Sequence, residues 1–198
     1  MPDTILLNGK KYSFDENDLP CLISYAPKTG GSHFTISMMA DLFLSGSKIL
    51  SFTAYSSAKD NFLGQIKGME SKVAYIESIN QLEANKEAQA ILLKSGDEKL
   101  FFEVVSKIKD LKERVVLVKN IETFSGAVFD NCSQFQKVVI SGDIDRCKEK
   151  NKIIVKKYKT IVVFSRPEFP LAFKVPTLNK YEGYLWNGES GGLCRVFR

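Results

Sequence analysis

A turn rich in glycine and hydroxyl groups follows the first predicted buried strand. Residues 26–33 read APKTGGSH, and an apolar stretch with helical spacing begins directly after them. Glycines let a backbone wrap closely around a ligand, and successive N–H groups at the start of a helix attract anionic oxygens. These residue types in this order are suited to binding phosphate. The alternative is a tight strand-to-helix connection at Gly30-Gly31, with Ser32 as the helix N-cap.

Two carboxylates follow later apolar runs along the chain. Glu122 comes shortly after Val115–Val118, and Asp143 directly follows Ser141-Gly142. In open α/β sheets, ligands bind beyond the carboxyl ends of the strands, so Asp143 is a candidate catalytic residue. Glu122 is the second candidate, because it is the carboxylate close to the run Val115–Val118 and is suited to activate water. The alternatives are a solvated carboxylate and an ordinary turn aspartate. By the same rule, the further candidates are Tyr55, Asn120, Asp145 and Arg166.

The elements that must position these residues alternate between strand and helix patterns. The predicted strands are 21–26, 48–55, 72–79, 114–121, 136–144 and 159–165, and the predicted helices are 34–44, 58–66, 83–94 and 98–112. Such alternation predicts an α/β fold with a mostly parallel central sheet flanked by helices, and the nearly continuous apolar strands suit burial on both faces. Short hairpins are predicted at both ends, around Asn8-Gly9 and Gly188–Gly192, at the edge of the sheet.

Composition sets the class of protein. The chain has 198 residues, of which 44% are hydrophobic and 26% charged, so we expect one globular domain over residues 1–198. The four cysteines are scattered without a C-x-x-C pair, and His33 is the sole histidine, which excludes multi-histidine metal sites. The longest apolar runs are far too short to span a bilayer, and the first residues lack a secretory pattern. We therefore expect a soluble, cytoplasmic protein with free thiols.

The strand, turn and helix at residues 21–44 resemble the Walker A region of the P-loop NTPases. The family pattern is G-x-x-x-x-G-K-[ST], and here Ala26 and Gly31 take the two glycine positions. Ser32 stands where the family has its phosphate-binding lysine, and His33 where it has the magnesium-binding hydroxyl. The resemblance implies a RecA-like three-layer sandwich. It also implies that the turn binds a nucleotide through Lys28, Thr29, Gly30, Gly31, Ser32 and His33.

The second motif of the family, Walker B, is four apolar residues ending in an aspartate that holds magnesium. Here Val115–Val118 is followed by Lys119 or Asn120 at the aspartate position. A lysine is no metal ligand at neutral pH, and a neutral amide coordinates magnesium weakly. With both hallmark positions altered, the resemblance indicates a degenerate member that keeps the fold and the nucleotide without efficient hydrolysis, because magnesium stabilises the transferring phosphoryl group.

Two other segments suggest partners. The segment Arg146–Lys159 holds seven Lys or Arg and one Glu in a chain of net charge +5, which favours nucleic-acid binding; the alternative is a solvated connection. The aromatic tail, with Tyr181, Tyr184, Trp186 and Phe197, either faces a protein partner or packs on the core. By analogy with ring-forming relatives, Arg195 and Arg198 would reach into a neighbouring subunit of a homo-oligomer.

Three hypotheses follow. The first is a nucleotide- or phosphate-binding protein with weak or absent hydrolysis that serves as a component or regulator of a larger nucleic-acid or transport assembly. Its cofactor would be ATP or another nucleotide, with or without magnesium. The second is a non-enzymatic scaffold or interaction protein whose P-loop site is empty. The third is a true ATPase with rearranged residues, in which Lys28 replaces the usual lysine and Glu122 or Asp143 acts on metal and water.

Overall fold

The computed structural model describes residues 3–147 and 155–197, and eleven strands and five α-helices lie within those ranges. The strands are β1 (Thr4–Leu7), β2 (Lys10–Tyr12), β3 (Cys21–Ser24), β4 (Lys48–Thr53), β5 (Val73–Ile76), β6 (Ala90–Leu93), β7 (Arg114–Lys119), β8 (Val138–Gly142), β9 (Thr160–Val163), β10 (Gly183–Trp186) and β11 (Gly191–Phe197). The helices are α1 (Gly31–Leu44), α2 (Ser57–Gln65), α3 (Leu82–Asn85), α4 (Glu98–Lys107) and α5 (Gly126–Cys132).

All strands of the described residues belong to one sheet, in the order β2-β1-β11-β10-β9-β3-β8-β7-β4-β6-β5. The strands from β9 to β5 run parallel, and the two terminal hairpins extend the sheet antiparallel beyond β9. The first hairpin turns at Asn8 and Gly9, whose φ angles of 50° and 79° match a two-residue turn of the primed type. The predicted parallel sheet is confirmed, and the N-terminal hairpin forms its edge as predicted, whereas the C-terminal hairpin lies between β1 and β9.

Helices cover both faces of the parallel strands. Along β7, Val115 and Leu117 point into a core shared with α1 and α2, whereas Val116 and Val118 point into a second core shared with α4 and α5. A strand that is buried on both faces needs apolar side chains at consecutive positions, and the run VVLV supplies them. The predicted three-layer arrangement is confirmed.

Helix α1 begins within the glycine-rich turn of residues 26–33 and is buried along most of its length. Its ring Phe34 lies edge-to-face against Phe14 and Phe164, with centroids 5.7 and 5.2 Å apart, which anchors the first turn of the helix beneath the β1–β2 hairpin and β9. The predicted helix over residues 34–44 is confirmed, although it starts three residues earlier. None of the helices in the described ranges is long and apolar enough to cross a membrane.

The predicted helix over residues 83–94 is wrong. Only one turn, α3, is helical there, and residues 90–93 form β6 between β4 and β5. A short apolar run such as AILL does not distinguish a buried strand from a helix by its periodicity. The buried Arg114 guanidinium fixes the turn between α3 and β6, because it donates to the carbonyl oxygens of Lys86 and Ala88 at 2.6 and 3.0 Å. Helix α4 also ends early, at Lys107 rather than residue 112.

Candidate functional site

A cleft of about 560 Å³ opens at the carboxyl ends of β3, β4, β7 and β8. This is the edge at which open α/β sheets bind ligands, and the volume lies within the usual range for small-molecule sites. The structure brings six of the eight predicted site residues to its wall: Lys28, Gly30, Ser32, His33, Glu122 and Asp143. Thr29 and Gly31 belong to the same turn but do not line the cleft.

The turn itself adopts a left-handed backbone at two positions. Lys28 has φ 66° and Gly30 has φ 99°, and Gly30 is the N-cap of α1. Thr29 stabilises this shape, because its hydroxyl donates to the carbonyl oxygen of Ala26 at 2.7 Å. Ser32 is therefore not the N-cap, as one reading of the sequence had it, but an exposed residue of the first helical turn. The backbone N–H groups of His33 and Phe34 donate to the carbonyl oxygen of Gly30 at 3.0 Å, so those of Gly31 and Ser32 are the ones left to bind an anion.

Tyr25 lies beneath the turn and was not anticipated from the sequence. Only 5% of the residue is exposed, and its ring packs against the Cα of Gly31. Burial raises the pKa of its phenol, and the nearby Glu122 and Asp143 charges raise it further, while Ser141 and Ser32 form hydrogen bonds with it. The phenol thus joins the turn to the ends of the neighbouring strands. Its signal in the sequence is a hydroxyl at the last position of an apolar run.

Lys119, which the sequence places at or next to the Walker B aspartate position without assigning it a binding role, also lines the cleft. It ends β7 with only 4% of its surface exposed, and its Nζ donates to Oδ1 of Asn120 at 3.0 Å. Burial lowers the pKa of its ammonium to about 8, against a smaller opposing effect of the Glu122 charge. Within residues 3–147 and 155–197, no carboxylate lies within ion-pair distance of this ammonium.

Glu122 links the segments that follow β7 and β8. Its Oε2 accepts the backbone N–H of Asp143 at 3.0 Å, and Gly142 lies so close that a Cβ there would be 2.1 Å from the same oxygen. The Asp143 carboxylate in turn lies 3.3 Å from Nε of Arg146. Both predicted catalytic carboxylates therefore line the cleft, and both are engaged by neighbouring groups.

His33 faces the cleft from the first turn of α1. Its Nε2 lies 2.8 Å from Oδ2 of Asp3, and Gln65 donates to the same carboxylate oxygen at 3.1 Å. The imidazole thus connects the turn with the N-terminal segment. A contact of His33 with a bound phosphate stays a prediction.

Other predicted residues divide into two groups. Tyr55 and Asn120 line the cleft, whereas Asp145 and Arg166 do not. Asp145 instead accepts the backbone N–H of Glu168 at 2.9 Å and so holds the loop after β9. These differences depend on which way each loop leaves the sheet, which the strand pattern does not reveal.

Two exposed aromatic rings flank the cleft. Tyr55 and Tyr181 are 55% and 56% exposed, and Tyr181, with φ 65°, packs against Gly30. Beyond Tyr181 lies an adjoining pocket of about 400 Å³, lined by Gly30, His33, Phe164, Tyr181 and Val196. The site therefore has a polar compartment at the turn and a more apolar one beside it.

The remaining tail aromatics pack inward. Tyr184 and Trp186 lie half-buried against Phe173, with ring centroids 5.8 and 5.1 Å apart. This matches the packing alternative for Tyr184 and Trp186, while Tyr181 is exposed. Arg195 is exposed, whereas Arg198 and the side chain of Phe197 lie outside the described residues.

Part of the basic segment Arg146–Lys159 cannot be placed, since residues 148–154 lie outside the described ranges. Tyr158, the one aromatic in the segment, is only 9% exposed and belongs to the core. It is therefore no platform for stacking nucleic-acid bases.

The residues at the family's two metal-facing positions do not fit magnesium, which prefers oxygen ligands. His33 presents an imidazole, and Lys119 presents a buried ammonium. In the part of the chain that the structure describes, no three His, Cys, Asp or Glu side chains gather in a way that could hold a metal ion.

Comparison with known proteins relates the fold to solved structures. No protein-family profile matches the sequence, and no curated protein sequence matches it. The genome packaging NTPase B204 from Sulfolobus turreted icosahedral virus 2, solved with AMPPCP, superposes with a TM-score of 0.56 at 12% identity, covering 92% of this chain and 97% of that one. The cytoplasmic domain of the Thermomonospora curvata type VII secretion ATPase EccC gives a TM-score of 0.56 at 12% identity, covering 100% of this chain and 26% of that one.

A third solved structure, EssC (ATPases 2 and 3) from Geobacillus thermodenitrificans, gives a TM-score of 0.51 at 11% identity, and the match covers 100% of this chain and 41% of that one. Identities this low establish similarity of fold alone. The turn at residues 26–33 opens the first strand–helix unit of the parallel sheet, at the place predicted from its resemblance to Walker A. The chain therefore has the fold of the P-loop NTPases, with divergent residues in both hallmark motifs.

Proposed function

We propose that this chain binds a nucleotide through its phosphates at residues 28–33 and hydrolyses it weakly or not at all. One observation carries the proposal: the turn and Ser32, at the start of α1, line a cleft that also contains Lys28 and the buried Lys119. Backbone donors and two cations around one opening are suited to a polyanionic group. Thr29 and Gly31 contribute to the shape of the turn, and Ser32 and His33 contribute donors.

The two compartments of the site suit the two halves of a nucleotide. Phosphates would occupy the polar cleft, and the base would lie in the adjoining pocket, where Phe164, Val196 and the ring of Tyr181 provide apolar surface. A base and an aromatic ring stack favourably whatever the base, so this arrangement does not select ATP over GTP by itself.

Weak hydrolysis follows from the same residues. Magnesium stabilises negative charge on the transferring phosphoryl group, and the two positions that would face the metal hold His33 and Lys119. Glu122, the candidate base, already accepts the N–H of Asp143. The alternative is a true ATPase in which Glu122 or Asp143 activates water, and it predicts phosphate release that Glu122→Gln or Asp143→Asn abolishes.

The biological setting is proposed from the neighbours. They include a genome packaging NTPase and a type VII secretion ATPase. We assign this chain, as one domain over residues 1–198, to a cytoplasmic nucleic-acid or transport assembly, in which it is a component or regulator. The partner would be a protein or a second copy of the chain, and the basic segment Arg146–Lys159 is the candidate contact for nucleic acid.

The experiment is a calorimetric titration of ATP, ADP and GTP, with the wild type and Lys28→Ala. We expect micromolar affinity that Lys28→Ala weakens about 10- to 100-fold, since a hydrogen bond to a charged group contributes ~1.5–3 kcal/mol. Lys112→Ala is the matched control, because Lys112 is an exposed lysine at the opposite end of β7. No binding up to millimolar nucleotide would overturn the proposal in favour of a scaffold with an empty site.

A further inference from the structure

We propose that the ammonium of Lys119 takes the place of a metal ion, so that this site binds nucleoside di- or triphosphates without magnesium. The inference rests on the proposed function and deepens it by naming the ligand as the metal-free polyphosphate. It also assigns a phosphate-binding role to a residue that lies outside the turn.

The strand order places Lys119 opposite the turn. Strand β8 lies between β3, which leads into the turn, and β7, which ends at Lys119. Lys119 is paired in register with Ser141, and Ser24 is paired with the next residue, Gly142. Two inter-strand spacings amount to about 10 Å, which is wide enough for phosphate groups between the backbone of the turn and a lysine side chain.

The charge of Lys119 lacks a counter-ion. An ammonium has three N–H donors, and the acceptor found among the described residues is the neutral amide oxygen of Asn120, 3.0 Å away. A buried, unpaired charge is costly unless a partner neutralises it. The cleft is open beside this ammonium, and a phosphate oxygen there would supply both the missing charge and the missing acceptors.

The charge that Lys119 brings to the cleft is positive, whereas a magnesium site needs negative or neutral oxygen ligands. A divalent cation would be repelled by Lys119, and both carboxylates of the cleft are already engaged: Oε2 of Glu122 accepts the N–H of Asp143, and the Asp143 carboxylate lies 3.3 Å from Nε of Arg146. Burial lowers the pKa of Lys119 to about 8, so the group stays mostly protonated at neutral pH. An anionic ligand would raise that pKa again, because it favours the charged form.

Calorimetric titration of ATP in EDTA and in excess MgCl₂ tests the inference. The wild type should bind ATP in EDTA at least as tightly as in MgCl₂. Lys119→Met, which keeps the length of the side chain and removes the charge, should weaken binding in EDTA about 10- to 100-fold. Lys112→Met is the matched control, at an exposed lysine just before the same strand, and should bind as the wild type does. Far-ultraviolet circular dichroism and thermal melts verify that each variant is folded.

A charge reversal gives a second readout. Lys119→Asp places a carboxylate at the position where the fold family carries its metal ligand, and this variant should bind ATP in MgCl₂ and lose binding in EDTA. Such a switch in metal dependence is not expected of a residue that only packs in the core, because a packing defect would weaken both titrations equally.

The outcomes separate the two proposals. Absence of ATP binding by the wild type in both buffers would overturn the proposed function and this inference together. Binding that magnesium tightens 10-fold or more would leave the proposed function standing and overturn the inference. Metal-independent binding that Lys119→Met does not weaken would overturn the role of Lys119 alone.

Discussion

The ring of Tyr25 lies against Gly31 at a distance that leaves no room for a side chain at residue 31. A Cβ built there would be 2.3 Å from the Cβ of Tyr25 and 2.4 Å from its Cγ. Rotation of the tyrosine side chain cannot move its own Cβ, so the contact could be relieved only by a shift of backbone. The second glycine of the turn is thus required by the residue that precedes the turn.

Gly31→Ala should therefore destabilise the fold by about 1–3 kcal/mol, the usual cost of overpacking. Urea denaturation measures the loss. Gly64→Ala is the control, because Gly64 lies in α2 with nothing within 4 Å of an added Cβ, and this change should be neutral or stabilising by up to about 1 kcal/mol. Equal losses in the two variants would contradict the argument.

The double variant Tyr25→Ala/Gly31→Ala extends this test. Removing the ring cannot remove the Cβ, but it frees the backbone of residue 25 to shift. We expect the double variant to lose less stability than the sum of the two single variants, by about 0.5–3 kcal/mol, as is common for residues in contact. Strict additivity would show that the two residues are not coupled.

The parallel sheet could be predicted because its strands are buried on both faces. Runs such as VVLV in β7 and VVI in β8 have no polar interruption, and only a strand within a sheet covered on both sides needs that pattern. The run AILL of β6 was assigned to a helix because four apolar residues satisfy either period. Its identity as a strand is decided by pairing with β4 and β5 and by the contacts of Arg114, which are tertiary.

The candidate site could be predicted only where local sequence reveals it. The glycines of residues 26–33 indicate a turn, so that segment can be recognised from local sequence. Tyr25 was missed because it follows an apolar strand and continues its pattern, and Lys119 was identified only as a departure from Walker B, with no binding role. Their contribution depends on the order β3-β8-β7, which brings the ends of separate strands to one cleft. A strand pattern predicts that strands exist, but it does not give their order.

Lys119→Met should stabilise the fold at neutral pH. The pKa of Lys119 is lowered from 10.5 to about 8, so the unfolded chain binds more protons than the native one between those values. The native state is therefore penalised below pH 8, by about 3 kcal/mol at most, and the penalty disappears as the pH rises toward 10.5. Urea denaturation at pH 7 and pH 10 should show a gain for Lys119→Met that shrinks at pH 10.

Lys112→Met is the control for that measurement, since Lys112 is exposed at the other end of β7. Its free energy of unfolding should follow that of the wild type at both pH values. A destabilised Lys119→Met at pH 7 would show that the lysine contributes more through its hydrogen bond to Asn120 than its charge costs.

Glu122→Ala should cost about 1–3 kcal/mol of stability, because it removes the acceptor of the Asp143 N–H and releases the link between the segments after β7 and β8. Glu122→Gln keeps an acceptor oxygen and should cost less. The exposed Glu87 offers a control, and Glu87→Ala should lie within about 0.5 kcal/mol of the wild type. If Glu122→Ala had the same free energy of unfolding as Glu87→Ala, the hydrogen bond between Glu122 and the Asp143 N–H would contribute nothing to stability.

Tyr181 should determine how tightly the base is held without affecting the phosphates. Its ring is 56% exposed beside the adjoining pocket, and a base stacked on an aromatic ring contributes ~1–3 kcal/mol. Tyr181→Ala should therefore weaken ATP binding by roughly 5- to 100-fold, whereas Tyr181→Phe should bind as the wild type does. Inorganic tripolyphosphate, which has no base, should bind the wild type and Tyr181→Ala equally in calorimetric titrations. If Tyr181→Ala weakened both ligands to the same extent, the ring would act by supporting Gly30 and the turn rather than by stacking on the base.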